Sequence, residues 1–413
     1  MIPEIEVITF GCRLNGHESG VLRGILEEAV ARGAFGASDG VVVFNSCAVT
    51  AEAERQLKQS IRKTRRERGE KVIIGVVGCA VQVNDTPYRA MPEVDFVLGN
   101  ADKLNVESYI DRGKRPVSSV NIPRTGPMRI QSLEKFEGMT RASVKIQDGC
   151  DNGCTFCVTH LARGRSISVP PAEILDQVRR LVDLDYREIV LTGVNICDYG
   201  KGLALDTSLG GLVRAIAKET SLDRLRLSSL DIAAMDPELV EQIKYEKRLM
   251  PHLHLSLQSG NDVILKRMGR RHSREDTLTL CEAIINARPE IVLGADFIAG
   301  FPTETDEMHR DSLSLIEKIP ITYGHIFPYN RRPGTVAASM SQIQKTVKKA
   351  RAKQLRETAT ANLLKLRDSI SGTEQKVFVE TKSIGRLENY LQVHLREDHS
   401  GDIGKIVMTT VLC

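Results

Sequence analysis

The feature that most constrains the fold is a regular alternation of short apolar runs and longer segments with helical spacing. In the N-terminal part, the runs EIEVITF, GVVVFN and KVIIGVV each precede such a segment. Strands that alternate with helices typically form parallel sheets, because a parallel pair needs a long crossover connection. Residues 1–122 are therefore predicted to form a parallel α/β domain of the flavodoxin or Rossmann kind.

Each of these three runs ends at a cysteine, namely Cys12, Cys47 and Cys79. Ligands of open parallel sheets bind beyond the carboxyl ends of the strands. Three cysteines at three strand ends would therefore meet in one crevice, which predicts a metal site. The alternative is coincidence, since a free cysteine often behaves as a small buried apolar residue.

A second α/β series follows and predicts a partial (β/α)6 barrel over residues 136–368, including an exit helix. Function in parallel barrels concentrates at the C-terminal ends of the strands. Polar residues fall at or near those ends and are expected to form a ring at the barrel mouth. The candidate strands are 141–147, 188–193, 224–230, 252–258, 291–300 and 322–329, and the polar residues are Thr192, Asn195, Ser229, Asp231, Gln258, Ser259 and Asp296.

The segment QDGCDNGCTFC follows the first barrel strand and offers three thiols, Cys150, Cys154 and Cys157, in a C-x3-C-x2-C spacing. Structural zinc sites and most four-iron clusters have four protein ligands. A zinc site would need His160 as the fourth ligand. A four-iron cluster on three thiolates would instead leave one iron open to a substrate at the barrel mouth, and this interpretation is favoured.

The nine cysteines and the charge distribution narrow the class of protein further. An odd number of cysteines in a long chain indicates metal chemistry before disulfides. No run approaches the roughly 18 apolar residues of a membrane span, and the N-terminus lacks a basic signal region. A cytoplasmic protein without a membrane partner is expected.

The net charge is only +4, but residues 54–71 and 344–367 are strongly basic, which indicates either solvated helix faces or a polyanionic partner.

The C-terminal part contains a long basic helix at about 341–370 and then short alternating strands with glycine punctuation. This pattern predicts a small β-barrel over residues 370–413. Residues 101–138 are mixed and polar and are expected to form a linker around the last elements of the first domain.

The C-x3-C-x2-C motif with Phe156 before its last cysteine resembles the radical S-adenosylmethionine enzymes. The three-cysteine domain before the barrel narrows the resemblance to the methylthiotransferases, over essentially the whole chain. The C-terminal module resembles the RNA-contacting TRAM domain. The motifs that carry the resemblance are FGCRLN, NSCAVTAEAERQ, VGCAVQ, KIQDGCDNGCTFC, EIVLTGVN, LHLSLQSG, RMGRR, ADFIAGFPTET and RRPGTVAA.

The resemblance implies two [4Fe-4S] clusters and S-adenosylmethionine as cofactors. The barrel cluster would bind the methionine part of the cofactor at its open iron and generate a 5′-deoxyadenosyl radical. A second cluster on Cys12, Cys47 and Cys79 would carry the sulfur that is inserted into the substrate. The residues that would contact the cofactor are Phe156, Thr192, Gly193, Asn195, Ser229, Asp231, Gln258 and Arg270. Packing, turn or helix-end roles are the alternative for most of these.

Among the branches of this family, the motifs look most like the enzymes that convert N6-threonylcarbamoyladenosine at tRNA position 37 to its 2-methylthio derivative. Isopentenyladenosine tRNA, a ribosomal-protein aspartate, and a non-catalytic iron–sulfur RNA-binding regulator are the alternatives. The expected partners are the tRNA anticodon stem-loop, a sulfur source and an electron donor such as flavodoxin or ferredoxin, and a monomer suffices.

One segment departs from the family pattern. After the barrel triplet, Thr159 and His160 stand where a proline is usual, and Ile167 stands where the family usually has arginine. Arg165 is a candidate substitute for that arginine. His160 is a candidate acid/base group, with a structural histidine as the alternative.

Overall fold

The computed structural model describes residues 3–36, 38–110, 127–130 and 140–411. The predicted domain boundaries at 122 and 136, and most of the predicted linker, lie outside these residues. None of the described helices combines the length and apolar character needed to cross a membrane.

The N-terminal domain is a parallel sheet flanked by helices, as predicted. Its strands are β1 (Glu4–Thr9), β2 (Gly40–Ser46), β3 (Val72–Gly78) and β4 (Phe96–Leu98), and its helices are α1 (Arg13–Ala31), α2 (Ala51–Arg68), α3 (Cys79–Val83), α4 (Thr86–Arg89) and α5 (Val106–Ile110). The described strands lie in the order β1-β2-β3-β4. Doubly wound flavodoxin and Rossmann sheets reverse their strand order. The predicted likeness to them is therefore limited to the parallel α/β class.

Both faces of this sheet are buried, which explains why its strands are continuous apolar runs. On β2, Val42 and Phe44 pack into one apolar cluster, whereas Val41 and Val43 pack into another on the opposite face. The alternation follows from the two-residue period of a strand.

The central domain confirms the prediction of six parallel barrel strands. They are β5 (Ala142–Lys145), β8 (Glu188–Thr192), β9 (Arg224–Leu227), β10 (His252–Gln258), β11 (Val292–Ala299) and β12 (Ile321–Pro328). Between β5 and β8 the chain forms a short antiparallel pair of strands, β6 (Gln147–Asp148) and β7 (Ile167–Ser168). Two bridges, Leu225 to Leu249 and Leu230 to Leu255, join β5-β8-β9 to β10-β11-β12. In the described residues β5 and β12 do not pair, so the barrel is open on one side.

Helices cover the outside of the barrel, as expected for alternating strands and helices. They are α7 (Pro171–Asp183), α8 (Leu209–Glu219), α9 (Pro237–Tyr245), α11 (Arg274–Ala287), α12 (Asp306–Lys318) and α13 (Lys345–Ile370). Two short helices, α6 (Thr159–Arg163) and α10 (Asp262–Met268), lie instead beside the cysteine loops: α6 packs against Cys79, and α10 packs with Phe156. Short 3-10 turns lie at Ile196–Asp198, Ile232–Ala234 and Val336–Ser339.

The N-terminal domain spans the open side of the barrel. At one edge, His17 of α1 is hydrogen-bonded to the Ser143 carbonyl of β5 at 2.9 Å. At the other edge, Arg332, which follows β12, donates to Glu54 at 2.8 Å and to the Val49 carbonyl at 3.3 Å. The carboxyl ends of the N-terminal strands are thereby brought next to the barrel.

The C-terminal strands form an antiparallel sheet that packs against the barrel floor. They are β13 (Glu374–Thr381), β14 (Ile384–Arg386), β15 (Gln392–His394) and β16 (Ile406–Thr410), in the order β15-β14-β13-β16. Buried Arg224 and Arg226 of β9 donate to backbone carbonyls of this sheet and its loops, for example Arg226 to Leu387 at 2.9 Å. Tyr390 stacks on His252 at the start of β10, with ring centroids 4.6 Å apart.

Candidate active site at the barrel mouth

The three N-terminal cysteines meet at one edge of the first sheet, as the strand-end pattern predicts. Cys12 caps the start of α1, Cys47 follows β2, and Cys79 is the first residue of α3. Gly11 has φ +106°, and a side chain there would place its Cβ 2.6 Å from the Cys47 Cβ. Glycine at this position therefore allows the Cys12 loop to approach Cys47.

The environment of this triplet suits thiolate ligands once a metal is present. Burial, together with the nearby Cys79 and Cys12, raises the pKa of the Cys47 thiol to about 11. The Val49 amide donates to the Cys47 sulfur at 3.4 Å. Thiols of this kind give up their protons when metal binds.

The N-terminal triplet touches the loop that carries the barrel triplet. Cys79 packs in one apolar cluster with Val158, which directly follows Cys157, and with Ala162 of α6. The Asn100 side-chain amide donates to the Cys79 sulfur at 3.3 Å and to the Ala162 carbonyl at 2.7 Å. The two cysteine sites therefore share one junction between the domains.

The barrel triplet lies in the loop between β6 and β7, and each of its sulfur atoms accepts a hydrogen bond. The Asn152 amide donates to Cys150 at 3.4 Å and the Thr159 amide to Cys157 at 3.3 Å. Arg270 donates to Cys154 at 3.8 Å. Burial raises the pKa of Cys150 to about 12 and also raises that of Cys154, although Arg270 opposes the latter shift.

Neither triplet forms a compact site for a single ion. Among the described residues, the one group of three ligand side chains with donor atoms all within 4.8 Å of one another is His254, Asp296 and His325. A tetrahedral zinc ion with Zn–S bonds of about 2.3 Å would hold its ligands closer than that. His160 is exposed, so the Cys3His zinc alternative loses its support. Two sets of three thiols without a fourth ligand fit clusters with one open iron.

Thr192, Gly193 and Asn195 form the turn after β8, beside the barrel triplet. The Gln147 side-chain oxygen accepts hydrogen bonds from the Val194 amide at 3.0 Å and the Asn195 amide at 2.9 Å. A Cβ at Gly193 would lie 2.8 Å from that same oxygen, so this close approach requires glycine. The Asn195 side-chain nitrogen is buried without a hydrogen-bond partner in the described structure. Such an orphaned donor is expected where a polar ligand binds.

Asp231, at the end of β9, anchors a polar network on the other side of the triplet. It accepts hydrogen bonds from Arg270 at 2.8 Å and from the Asn152 side chain at 3.0 Å. Arg270 also donates to the Ser256 carbonyl at 2.8 Å. One arginine thus connects the Cys154 sulfur to two barrel strands.

Comparison with known proteins identifies this arrangement. Residues 144–316 match the Radical SAM superfamily, and residues 4–99 match a family described as uncharacterized protein family UPF0004. The threonylcarbamoyladenosine tRNA methylthiotransferase MtaB of Rickettsia prowazekii is 40% identical over 94% of this chain and 91% of its own length. The protein of the same name from Thermotoga maritima is 36% identical over 96% of this chain and 92% of its own length. The chain belongs to the radical SAM methylthiotransferases.

Other matches agree with this family. The tRNA-2-methylthio-N(6)-dimethylallyladenosine synthase of Pelotomaculum thermopropionicum is 32% identical over 99% of this chain and 95% of its own length. The radical S-adenosylmethionine methyltransferase TsrM of Kitasatospora setae has the same fold, with a TM-score of 0.58 at 15% identity over 82% of this chain and 77% of its own length. The methylthiotransferase is therefore an enzyme, and the predicted cofactors, two [4Fe-4S] clusters and S-adenosylmethionine, are those of its family.

Three of the predicted cofactor contacts, Phe156, Gln258 and Ser229, lie outside the hydrogen-bond network that surrounds the barrel triplet. Phe156 packs into an apolar cluster beside the triplet, with its ring edge-on to Phe301 at 6.4 Å. Gln258 ends β10 in a left-handed conformation, φ +68°, and is half-buried. Ser229 lies deeper in the barrel and donates to Asp296 at 3.3 Å. Ser259, expected in the ring of polar residues, instead caps the turn before α10, where it accepts from the Asn261 amide at 3.2 Å.

In the segment that departs from the family pattern, Arg165 does not take the place of the arginine that the family usually has at position 167. The Arg165 side chain is 90% exposed, and its ion-pair partner among the described residues is Asp151, at 3.5 Å. It therefore does not occupy an interior position in place of Ile167, which lies in β7 opposite Asp148.

The sequence reasoning missed the buried charges behind the two triplets. Glu18 of α1 pairs with Lys103 at 2.6 Å, Lys145 at 2.7 Å and Arg163 at 2.8 Å, while Asp148 pairs with Lys145 at 2.8 Å. Burial lowers the pKa of Arg163, but Cys79, Glu18 and Asp148 outweigh this effect and raise it well above its ordinary value. Lys145 inside an apolar strand was the one visible signal, since a buried lysine needs a partner.

Proposed function

We propose that this methylthiotransferase converts N6-threonylcarbamoyladenosine at position 37 of tRNA to its 2-methylthio derivative. The observation that carries the proposal is the shared junction of two cysteine triplets, in which Cys79 packs against Val158, the residue that directly follows Cys157, and against Ala162. A reaction that activates a C–H bond and delivers sulfur to the same carbon needs both centres beside one substrate. The relatives of highest identity named above carry this activity in their names, at 40% and 36%.

In this proposal Cys150, Cys154 and Cys157 hold the radical cluster, and Cys12, Cys47 and Cys79 hold the sulfur-carrying cluster. When bound, the clusters and S-adenosylmethionine supply a carbon-centred radical, a methyl group and the inserted sulfur. Phe156, Thr192, Gly193, Asn195, Ser229, Asp231, Gln258 and Arg270 serve the cofactor or the adjoining pocket. The unpartnered Asn195 amide supports this role, because it can donate to a carboxylate.

The protein's own residues also prepare the charge balance of the site. Three buried cations, Lys103, Lys145 and Arg163, face two buried carboxylates, Glu18 and Asp148. The surplus positive charge lies beside Cys79. It can offset the negative charge of a cluster held by three thiolates.

The proposed tRNA interface comprises the basic faces of α2 and α13 and the C-terminal sheet. Six of the seven basic residues of α2, including Lys58 and Lys63, are exposed or half-buried, and such side chains can neutralise phosphates. The C-terminal strands are proposed to form a TRAM-like RNA-contacting barrel. The proposed partners of the enzyme are the anticodon stem-loop, a flavodoxin or ferredoxin and a sulfur source. We propose a cytoplasmic monomer with domains at 1–122, 136–368 and 370–413.

Nucleoside analysis of tRNA tests this function. Reconstituted enzyme, reductant, sulfide and S-adenosylmethionine are incubated with tRNA that carries threonylcarbamoyladenosine or isopentenyladenosine. Mass spectrometry of the digested tRNA is expected to show the 2-methylthio product from the first substrate, together with 5′-deoxyadenosine. Product from the isopentenyl substrate alone would overturn the substrate assignment. Absence of product with either tRNA, despite cofactor cleavage, would overturn the function.

A further inference from the structure

The interior of the barrel contains a second polar cluster that the cofactor contacts do not include. His254 of β10, Asp296 of β11 and His325 of β12 extend from three adjacent strands. One oxygen of Asp296 lies 3.2 Å from Nε2 of His254 and 3.1 Å from Nδ1 of His325. The other Asp296 oxygen accepts from Ser229. We call His254, Asp296 and His325 the histidine cluster.

The histidine cluster lies between the cofactor-proposed layer and the barrel floor. Ser229 precedes Asp231 by two residues in the segment that follows β9, and Leu230 between them pairs with Leu255 of β10. Asp231 belongs to the layer that contacts Arg270 and, through it, Cys154. Below the cluster, His252 and Tyr390 stack and close the barrel floor. The histidine cluster therefore lies at the depth inside the barrel that a substituent of a base bound at the barrel mouth would reach.

The charges and exposure of the histidine cluster suit a polar ligand. Burial would raise the pKa of Asp296, but hydrogen bonds from His254 and His325 outweigh it and lower the pKa below its ordinary range. Asp296 is therefore ionised and orients both imidazole rings. The side chains of His254 and Asp296 are 22% and 20% exposed, and that of His325 is 66% exposed, so a ligand can reach them.

We propose that the histidine cluster binds the amino-acid part of the modified base as a pair of imidazolium ions, in which His254 and His325 each donate one N–H to Asp296 and the other to the substrate carboxylate. The inference rests on the proposed function and adds the group that selects the substrate. Hydrogen bonds to a carboxylate are among the stronger ones in proteins. An isopentenyl group offers no acceptor, and an apolar group in this position would leave the polar side chains unsatisfied.

A change in the substrate tests the proposal without any change in the protein. Anticodon stem-loops are prepared with threonylcarbamoyladenosine and with its methyl ester, which removes the negative charge but keeps the size. Full-length, cluster-loaded enzyme is expected to bind the free acid more tightly by on the order of tenfold to a hundredfold, as measured by fluorescence anisotropy. Equal dissociation constants would overturn the proposal.

Variants then assign the preference to residues. His254→Gln, His325→Gln and the double variant are expected to lose the preference for the free acid while binding the ester as wild type does. His309→Gln, on the outer helix α12, is the matched control and is expected to keep the preference, because His309 lies outside the barrel interior and is hydrogen-bonded to Gln354 of α13. A preference that survives in the double variant would overturn the proposal. So would one equivalent of divalent metal per chain, beyond the cluster iron, that disappears in the double variant.

The binding test and the activity test fail separately. If wild type prefers the free acid but forms no 2-methylthio product, the proposed function fails while the recognition by the histidine cluster stands. If product forms but esterification changes neither binding nor kcat/KM, the function stands and the histidine cluster has no part in recognition.

Discussion

Replacement of Glu18 with glutamine tests the buried charge network that joins the N-terminal domain to the barrel. Glu18 is 1% exposed and accepts from Lys103, Lys145 and Arg163 at 2.6–2.9 Å. Burial would raise its pKa, but those three cations outweigh burial and hold the pKa well below its ordinary range. The carboxylate is therefore charged at neutral pH, and the network depends on that charge.

The Glu18→Gln variant keeps the shape of the side chain but leaves Asp148, which pairs with Lys145 and Arg163, as the remaining carboxylate for the three cations. Loss of one partner from a buried ion pair typically costs about 3–5 kcal/mol. With a urea m value of about 3 kcal/mol/M, the unfolding midpoint should fall by roughly 1–2 M. The chain has no tryptophan, so far-UV circular dichroism is the appropriate signal.

Two further variants separate charge from packing. Asp176→Asn breaks the exposed pair with Arg179 and is expected to cost less than about 1 kcal/mol. The double variant Glu18→Gln/Lys103→Met removes one cation together with the carboxylate, and we expect it to recover part of the lost stability. A loss below about 1 kcal/mol in Glu18→Gln, or no recovery in the double variant, would refute the reasoning.

Three other predictions concern the site and the domain contacts. Burial raises the pKa of Cys47 to about 11 and that of Cys150 to about 12, so both thiols must release protons to bind iron. The amount of iron that the protein retains against a chelator should therefore rise from pH 7 to pH 9. A flat or falling profile would contradict this. Arg270→Met removes a positively charged hydrogen-bond donor from the Cys154 sulfur, so the reduction potential of the barrel cluster should become more negative. An EPR-monitored redox titration measures this potential. An unchanged or more positive potential would count against a role of Arg270 in setting it. Tyr390→Ala removes the stack on His252 and should lower the free energy of unfolding by about 2 kcal/mol or more. Proteases should also cut the C-terminal sheet faster than in wild type. A rate of cleavage equal to that of wild type would show that this stack does not hold the sheet in place.

The elements that the sequence predicted well are those with a continuous apolar period. The six barrel strands and the strand ends at Cys12, Cys47 and Cys79 follow from such runs, because parallel strands are buried on both faces. The C-x3-C-x2-C motif was equally informative, since three thiols close together in the chain have few roles other than metal binding.

The contacts that the sequence did not predict are those between distant segments. Nothing near Glu18 in the chain indicates its partners at 103, 145 and 163, which come together only when the N-terminal domain spans the open barrel. Tyr390 likewise meets His252 only through docking of the C-terminal sheet. Asp296 was expected at a strand end, but its pairing with His254 and His325 depends on strand register, which composition does not specify.

An iron and sulfide count tests the central claim of two separate clusters most directly. Wild-type protein and the Cys12→Ala/Cys47→Ala/Cys79→Ala variant are reconstituted anaerobically and analysed side by side. About eight irons per chain in wild type and about four in the variant are the predicted result, because each three-thiolate site holds one four-iron cluster. About four irons in both proteins would contradict the claim, since the N-terminal triplet would then bind no cluster and could deliver no sulfur.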